Sequence, residues 1–240
     1  ITCRDWSSDV CSSDLAVMTG QLHNWQELVP GATCPLEAIT QAYQEQGPSF
    51  LSKLDGEFAL AIVESEQVFV ARDRLGVVPC YVGIEDGKVI AFATEAKALM
   101  QLDIVPEELT PGSYWHPEEG LVSYFDLEKP KALLDDSPVE RAAGLRSVLV
   151  AAISKRLSGP EAGAWLSGGL DSSVMTCLAA RQVGKLKTFC VGLEGAPDLE
   201  SARLVADFVG TEHHELIPTK KLLLEALPQV IFHMEAGKSA

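Results

Sequence analysis

Residues 56–94 read as short, mostly apolar blocks separated by turn residues. EFALAIV (57–63), VFVARD (68–73), CYVGI (80–84) and VIAFAT (89–94) are rich in Val, Ile, Phe and Ala. That pattern predicts strands. Asp86-Gly87 separates two of them and predicts a hairpin, because a tight primed turn needs positive φ. A short helix is expected over Glu95–Met100, and LVSYFDL (121–127) adds a strand after a turn at Pro117–Gly120. This half reads as a β-meander with few helices.

The period changes near residue 135. Ser137-Pro138-Val139-Glu140 is a helix start: a serine N-cap, a proline in the first turn, and a glutamate placed to reach back. Val139, Ala142, Ala143, Leu145, Val148, Leu149, Ala152 and Ile153 follow at helical spacing. Beyond them the pattern predicts strand 163–166, helix 172–181, strand 187–193, helix 199–209, strand 212–217 and helix 219–233. Gly210 stands where a glycine ends a helix, and Pro228 is expected to kink or split the last one. Alternating strands and helices predict a parallel sheet covered on both faces. The expected fold class is therefore two-domain α/β. Its domains are an antiparallel β-rich region over 16–127 and a parallel-sheet region over 128–240, joined by an acidic crossing at Glu128–Asp136.

Composition narrows the function classes. The 240 residues carry a formal net charge of −15, which argues against nucleic acid or an anionic membrane as main partner. No apolar run is long enough to span a bilayer, and no signal peptide is expected. Six cysteines lie scattered without a C-x-x-C pair, so a reduced, cytoplasmic protein is expected. ITCRDWSSDVCSSDL (1–15) has no usable periodicity, and its core resembles a translated sequencing adapter. It is set aside from fold reasoning, and with the abrupt EAGKSA end it gives the expectation of a fragment truncated at both ends.

The chemistry concentrates at AWLSGGLDSSV (164–174). A predicted strand meets glycines, serines and one carboxylate, and a helix then begins. In a parallel sheet such a loop opens at the carboxyl edge, where ligands bind. Glycines expose N–H groups without Cβ interference, and the helix start adds free N–H groups and a positive dipole end. Ser167, Ser172 and Ser173 add hydroxyl donors to the backbone of Gly168 and Gly169, so the loop has the chemistry of a phosphate cradle. Asp171 would repel phosphate unless Mg2+ joins the two. G-x-x-x-x-G-K-[ST] is absent, so the ordinary γ-phosphate-transferring loop is excluded.

SGGLDSS (167–173) resembles the PP-loop of ATP pyrophosphatases. KTFCVGLEGAPDLESARLVADFVGTEHHE (187–215) resembles the segment that follows this loop in glutamine-dependent (class B) asparagine synthetases. LDGEFALAIV (54–63), ARDRLGVVPCYV (71–82) and FATEAKAL (92–99) resemble the glutaminase half of that family, and AVMTGQLHNWQEL (16–28) looks like a degenerate copy of its A-V-N-G-E-I-Y-N segment. The resemblance implies an N-terminal-nucleophile (Ntn) glutaminase domain and a PP-loop domain like adenine nucleotide hydrolases, both incomplete. It implies ATP and Mg2+ as cofactors and aspartate and glutamine or ammonia as partners, and it leaves a homodimer open. The implied reaction is asparagine biosynthesis by a ligase that releases AMP and pyrophosphate: the aspartate side chain is adenylated to β-aspartyl-AMP, and ammonia displaces AMP. Ser167, Gly168, Gly169, Ser172 and Ser173 would hold pyrophosphate, Asp171 would ligate the metal, and Leu166 and Val191 would line the adenine and ribose pocket.

The glutaminase half departs from the family. Its nucleophile is an N-terminal cysteine, and no residue here can be that group. Cys34, Cys80, Cys177 and Cys190 are expected as small buried hydrophobes. Thr19 replaces the oxyanion-hole asparagine, Gly20 remains, Gln21 replaces a glutamate, and Asn24 is retained. Pro35 falls where an aspartate would hold the substrate ammonium. These departures imply an impaired glutaminase. A second S-G-E-G-x-D-E loop expected in the family is not found by Ala240, which implies that the fragment itself makes no asparagine. A β-lactam-forming synthetase of the same family, or a non-catalytic nucleotide-binding relative, stays open as an alternative. His213-His214 is expected at the surface rather than at a metal, and Asp198 at a helix start.

Overall fold

The computed structural model describes residues 14–64, 67–127, 136–157 and 162–235. The adapter-like stretch up to residue 13, most of the acidic crossing and the last five residues lie outside them. The chain divides into two compact units between Lys131 and Ala132.

In the first unit, β1 (Asp14–Leu22) leads through α1 (Trp25–Leu28), α2 (Pro35–Gln46) and a 3-10 segment (Gly47–Lys53) to β2 (Gly56–Glu64) and β3 (Gln67–Arg72). β4 (Tyr81–Glu85), β5 (Lys88–Ala93), α3 (Ala96–Met100), β6 (Glu107–Glu108), β7 (Ser113–His116) and β8 (Gly120–Ser123) follow. The strands form not one meander but two sheets, ordered β1-β2-β3-β7-β8 and β5-β4-β6. Phe58, Leu60, Ile62 and Phe69 on one face of the larger sheet pack with Ala38, Ile39 and Ala42 of α2 and with Phe50 and Leu51. Ala59, Ala61 and Val70 on the other face pack with Val82 and Val89 of the smaller sheet and with Cys80 just before it. The central strands are thus buried on both sides, which is why EFALAIV is nearly all apolar.

The hairpin at Asp86-Gly87 forms, with φ of 49° and 74°. The pattern did not reveal α2, whose Pro35 takes the first-turn place where proline's fixed φ fits and its missing N–H costs nothing. Nor did it reveal β1. That strand begins inside the excluded stretch, with Asp14 paired to Glu64 and Leu15 to Val63.

The second unit runs α4 (Pro138–Arg156), β9 (Gly163–Trp165), α5 (Leu170–Val183), β10 (Lys187–Val191), α6 (Pro197–Val209), β11 (Glu212–Leu216) and α7 (Lys220–Met234). The Ser137–Glu140 capping box is complete: Glu140 N–H donates to Ser137 Oγ at 3.3 Å, and Ser137 N–H donates to Glu140 Oε2 at 2.8 Å. Gly210 closes α6 in the left-handed conformation. α7 runs unbroken through Pro228, so the expected split does not occur.

The sheet is parallel, ordered β11-β10-β9. Leu166 and Cys190 pack on α6, and Ala164 packs with Leu178 and Ala179 of α5 and Ile153 of α4. Both crossovers step the same way across the sheet, and right-handed crossovers then place α5 and α6 on one face. Coverage of both faces is therefore not found among the described residues. The other face carries a cross-strand row, Trp165, Phe189 and His214, with Phe189 stacked on His214 at 5.2 Å and Trp165 74% exposed.

Candidate nucleotide-binding site

Residues 166–169 leave the carboxyl end of β9, and α5 begins at Leu170. The helix starts two residues earlier than its pattern predicts, so Asp171 lies in the first turn. Gly169 is the N-cap, with no side-chain cap bond, and the N–H groups of Leu170, Asp171 and Ser172 have no intrahelical partner. Gly168 is required twice over. Its φ is +74°, and an added Cβ would lie 2.4 Å from the Ser201 carbonyl carbon and 2.6 Å from the Ala202 nitrogen. α6 thus presses its small residues against the loop and fixes its path. No sequence signal beyond the small pair Ser201-Ala202 foretells this contact.

The hydroxyls hold the loop in shape. Ser167 Oγ and Ser172 Oγ are 3.0 Å apart, and Ser172 Oγ accepts from the Ser167 N–H at 3.3 Å. Ser173 Oγ donates to the Gly169 carbonyl at 2.7 Å, and Ser172 Oγ donates to it at 3.2 Å. Ser167, Gly169 and Asp171 are exposed. Leu166 differs: it is 1% exposed and belongs to the core under α6, so only its backbone can face a ligand. Val191 is exposed at the matching end of β10. Among the described residues no cluster of three acidic, His or Cys side chains could hold a metal. Asp171 stands alone, a donor set that suits Mg2+ shared with phosphate oxygens rather than a protein-only site.

Asp198 lies in the first turn of α6, as expected. His213 does not lie at the surface: its side chain is 10% exposed, and its Nδ1 is 2.9 Å from Thr188 Oγ1. His214 points to the opposite face. Next to His213, Glu215 accepts two bonds from Arg203 at 2.9 and 2.7 Å, which hold its carboxyl below its ordinary range.

In the first unit, Thr19, Gly20 and Gln21 lie on β1, an edge strand, opposite Ala59, Phe58 and Glu57. Gly20 has φ of +110°, and a Cβ there would meet the Glu57 carbonyl oxygen at 2.0 Å. Asn24 is committed to the scaffold: its Nδ2 donates to the Lys53 carbonyl at 2.8 Å, and its Oδ1 accepts the Asp55 N–H at 2.9 Å. The four cysteines are free; Cys80 and Cys190 are buried and Cys177 is half-buried. Cys34 is exposed rather than buried, because it stands at the N-cap of α2.

The sequence reading gave no role to Asp73, which organises ARDRLGVV. Its buried carboxylate accepts from Leu75, Val77 and Val78 N–H at 3.0–3.1 Å and from Phe58 N–H at 3.3 Å. A buried carboxylate needs such donors, and an aspartate two residues before Leu75 and three before a glycine is the only advance signal.

These features define a two-unit α/β protein: an antiparallel layered unit, then a parallel-sheet unit with a glycine–hydroxyl loop at a strand's carboxyl end. Residues 10–125 match the glutamine amidotransferase domain and residues 144–240 match asparagine synthase. The chain is 34% identical over 250 residues to asparagine synthetase B [glutamine-hydrolyzing] of Escherichia coli, covering 91% of this chain and 44% of that protein. It is 34% identical over 219 residues to asparagine synthetase [glutamine-hydrolyzing] 2 of Arabidopsis thaliana, covering 85% of this chain and 37% of that protein. The chain belongs to the glutamine-hydrolysing asparagine synthetase family. It spans less than half the length of these relatives. Among solved structures, glutamine phosphoribosylpyrophosphate amidotransferase from B. subtilis is similar at 15% identity with a TM-score of 0.41, covering 91% of this chain and 51% of that one; that likeness carries no argument. No helix among the described residues is long and apolar enough to cross a membrane.

Proposed function

We propose that the protein serves ATP-dependent amidation of aspartate with nitrogen from glutamine or ammonia, and that its second unit is the PP-loop nucleotide domain of that reaction. A carboxylate is a poor electrophile, and adenylation supplies a leaving group. The observation that carries the reading is the loop Ser167–Asp171, held open at the carboxyl end of β9 by the contact of Gly168 with Ser201 and Ala202. In this role the free N–H groups of the first turn and the hydroxyls of Ser167, Ser172 and Ser173 bind pyrophosphate oxygens. Asp171 ligates Mg2+, which neutralises charge on the phosphates, and the backbone of Leu166 and the side chain of Val191 border the adenosine. Calorimetric titration of the chain with ATP tests the assignment. Binding is expected with Mg2+ and a loss of tenfold or more with Asp171→Asn, whose exposed position leaves folding intact. Equal binding by Asp171→Asn, or no binding by the native chain, rejects it. Grafting residues 144–235 into the E. coli relative tests the reaction itself: AMP formation that depends on aspartate is the expected outcome.

A second element of the reading concerns the first unit. Thr19, Gln21 and Pro35 stand where the family has asparagine, glutamate and aspartate, and losing one oxyanion-hole donor costs ~10²–10³ in rate. The proposed first unit is therefore an Ntn-type glutaminase scaffold with weak glutaminase activity, and free ammonia is the main nitrogen source. A chimera with the start of the E. coli relative ahead of residue 16 should release glutamate from glutamine slowly. Release at that relative's own rate would overturn the idea.

A further inference from the structure

α6 lies across the carboxyl ends of all three strands of the parallel sheet and meets each through a different residue. Ser201 and Ala202 press on Gly168, in the loop after β9. Leu199 abuts Gly192, just after β10, where an added Cβ would lie 3.0 Å from the Leu199 Cγ. Arg203 reaches Glu215, the next-to-last residue of β11, with bonds of 2.9 and 2.7 Å. β11 is an edge strand, and β9 is at the opposite edge. One helix therefore joins an ion pair at one edge of the sheet to the candidate loop at the other.

The rest of the hold on α6 is thin. Its buried residues are Leu199, Ala202 and Ala206, and two alanines remove little apolar area from water. Its N-cap, Ala196, makes no side-chain cap bond, so the end nearest the loop is unfastened by capping. Among the described residues, the side-chain hydrogen bonds of α6 are the two from Arg203 to Glu215. A bidentate guanidinium–carboxylate pair fixes orientation as well as distance. His213 backs the carboxylate from β11: its buried Nε2 has no hydrogen-bond partner and lies 3.6 Å from Glu215 Oε1. Glu215 is thus gripped from the helix side alone.

We propose that Arg203 and Glu215 are positioning residues for the loop Ser167–Asp171, although neither reaches it. The fork stops α6 from turning about its seat on β10, so Ser201 and Ala202 stay over Gly168 and the first-turn N–H groups of α5 keep their aim. With the nucleotide reading of that loop, on which this rests, the pair sets how tightly phosphate oxygens are held. Lysine cannot replace Arg203 fully, because an ammonium keeps the charge and loses the fork.

Amide hydrogen exchange and Mg-ATP titration of the whole chain test the proposal. The exchange probe is the Ser173 N–H, which donates to the Gly169 carbonyl at 3.0 Å. Arg203→Met and Glu215→Gln should each speed its exchange about tenfold while the amides of α4 keep their rates, a local opening rather than unfolding. Each should also weaken Mg-ATP binding about tenfold, within the usual range of coupling between linked sites. Arg203→Lys should give an intermediate loss. The double variant should lose no more than either single one, because both remove the same interaction. Lys185→Met removes a comparable pair, Lys185 with Glu212 at 3.1 Å at the amino end of β11, and should change neither reading. Unchanged Ser173 exchange in Arg203→Met, additive losses in the double variant, or equal losses in Lys185→Met overturn the proposal. A native chain that binds no Mg-ATP rejects the nucleotide reading instead, and Ser173 exchange still decides whether the pair positions the loop.

Discussion

The two units solve the covering of a sheet differently. The five-stranded antiparallel sheet of the first has an apolar layer on each face, α2 with the 3-10 segment on one side and the smaller sheet on the other. The three-stranded parallel sheet of the second is covered by α4, α5 and α6 on one face, while Trp165, Phe189, Val191 and Leu216 are exposed on the other. Parallel sheets ordinarily need both faces buried. The first unit thus draws its stability from core on both sides of β2 and β3. The second relies more on helix packing, caps and the fit of α6 against the loop, which places its candidate site next to the elements that stabilise it.

The sharpest test of this contrast uses one phenylalanine from each sheet. Phe69 is 2% exposed and Phe189 37%. Phe69→Ala should cost about 3–5 kcal/mol in urea unfolding of the first unit, and Phe189→Ala about 1 kcal/mol or less in the second. Equal costs would mean that the open face is covered after all. Gly168→Ala comes next. Positive φ costs a non-glycine residue about 1–2 kcal/mol, and overpacking costs about 1–3. A loss of about 2–4 kcal/mol in the second unit, together with lost Mg-ATP binding, is expected; unchanged stability would show that α6 does not press on the loop.

Ser137→Ala should cost about 1 kcal/mol of second-unit stability, the usual worth of such a cap. The same cap gives a pH dependence. The Ser137 hydroxyl and then its N–H hold the Glu140 carboxyl below its ordinary value of 4.5. A lowered folded value means stabilisation that is complete above pH 4.5 and fades as pH falls through the folded value. Thermal melts from pH 7 to 3 should show this loss in native protein and a smaller one in Ser137→Ala, which keeps only the backbone N–H donor to Glu140. The smallest effect is a matter of reactivity. Burial pushes the Cys80 thiol up to about 12, so a disulfide reagent should modify exposed Cys34 first and leave Cys80 untouched until the first unit unfolds. Equal rates would contradict the double cover of that sheet.

The sequence by itself determined what depends on neighbours in the chain. Short apolar blocks between turn residues marked β2 to β5, Asp86-Gly87 marked the β4–β5 hairpin, Ser137-Pro-Val-Glu marked the start of α4, and SGGLDSS between strand and helix marked the candidate loop. These signals are legible because turn angles, caps and side-chain periods act over a few residues. The tertiary structure alone decided what distant residues do to one another. It turned His213 inward against Thr188, gave Asp73 its four donors, spent Asn24 on the 53–55 backbone and sank Leu166 beneath α6. It also laid Ser201 and Ala202 over Gly168 and, among the described residues, left one face of the parallel sheet without a covering helix. Contacts between residues thirty positions apart leave no periodic trace, because the partner is set by the direction of the crossovers and by packing.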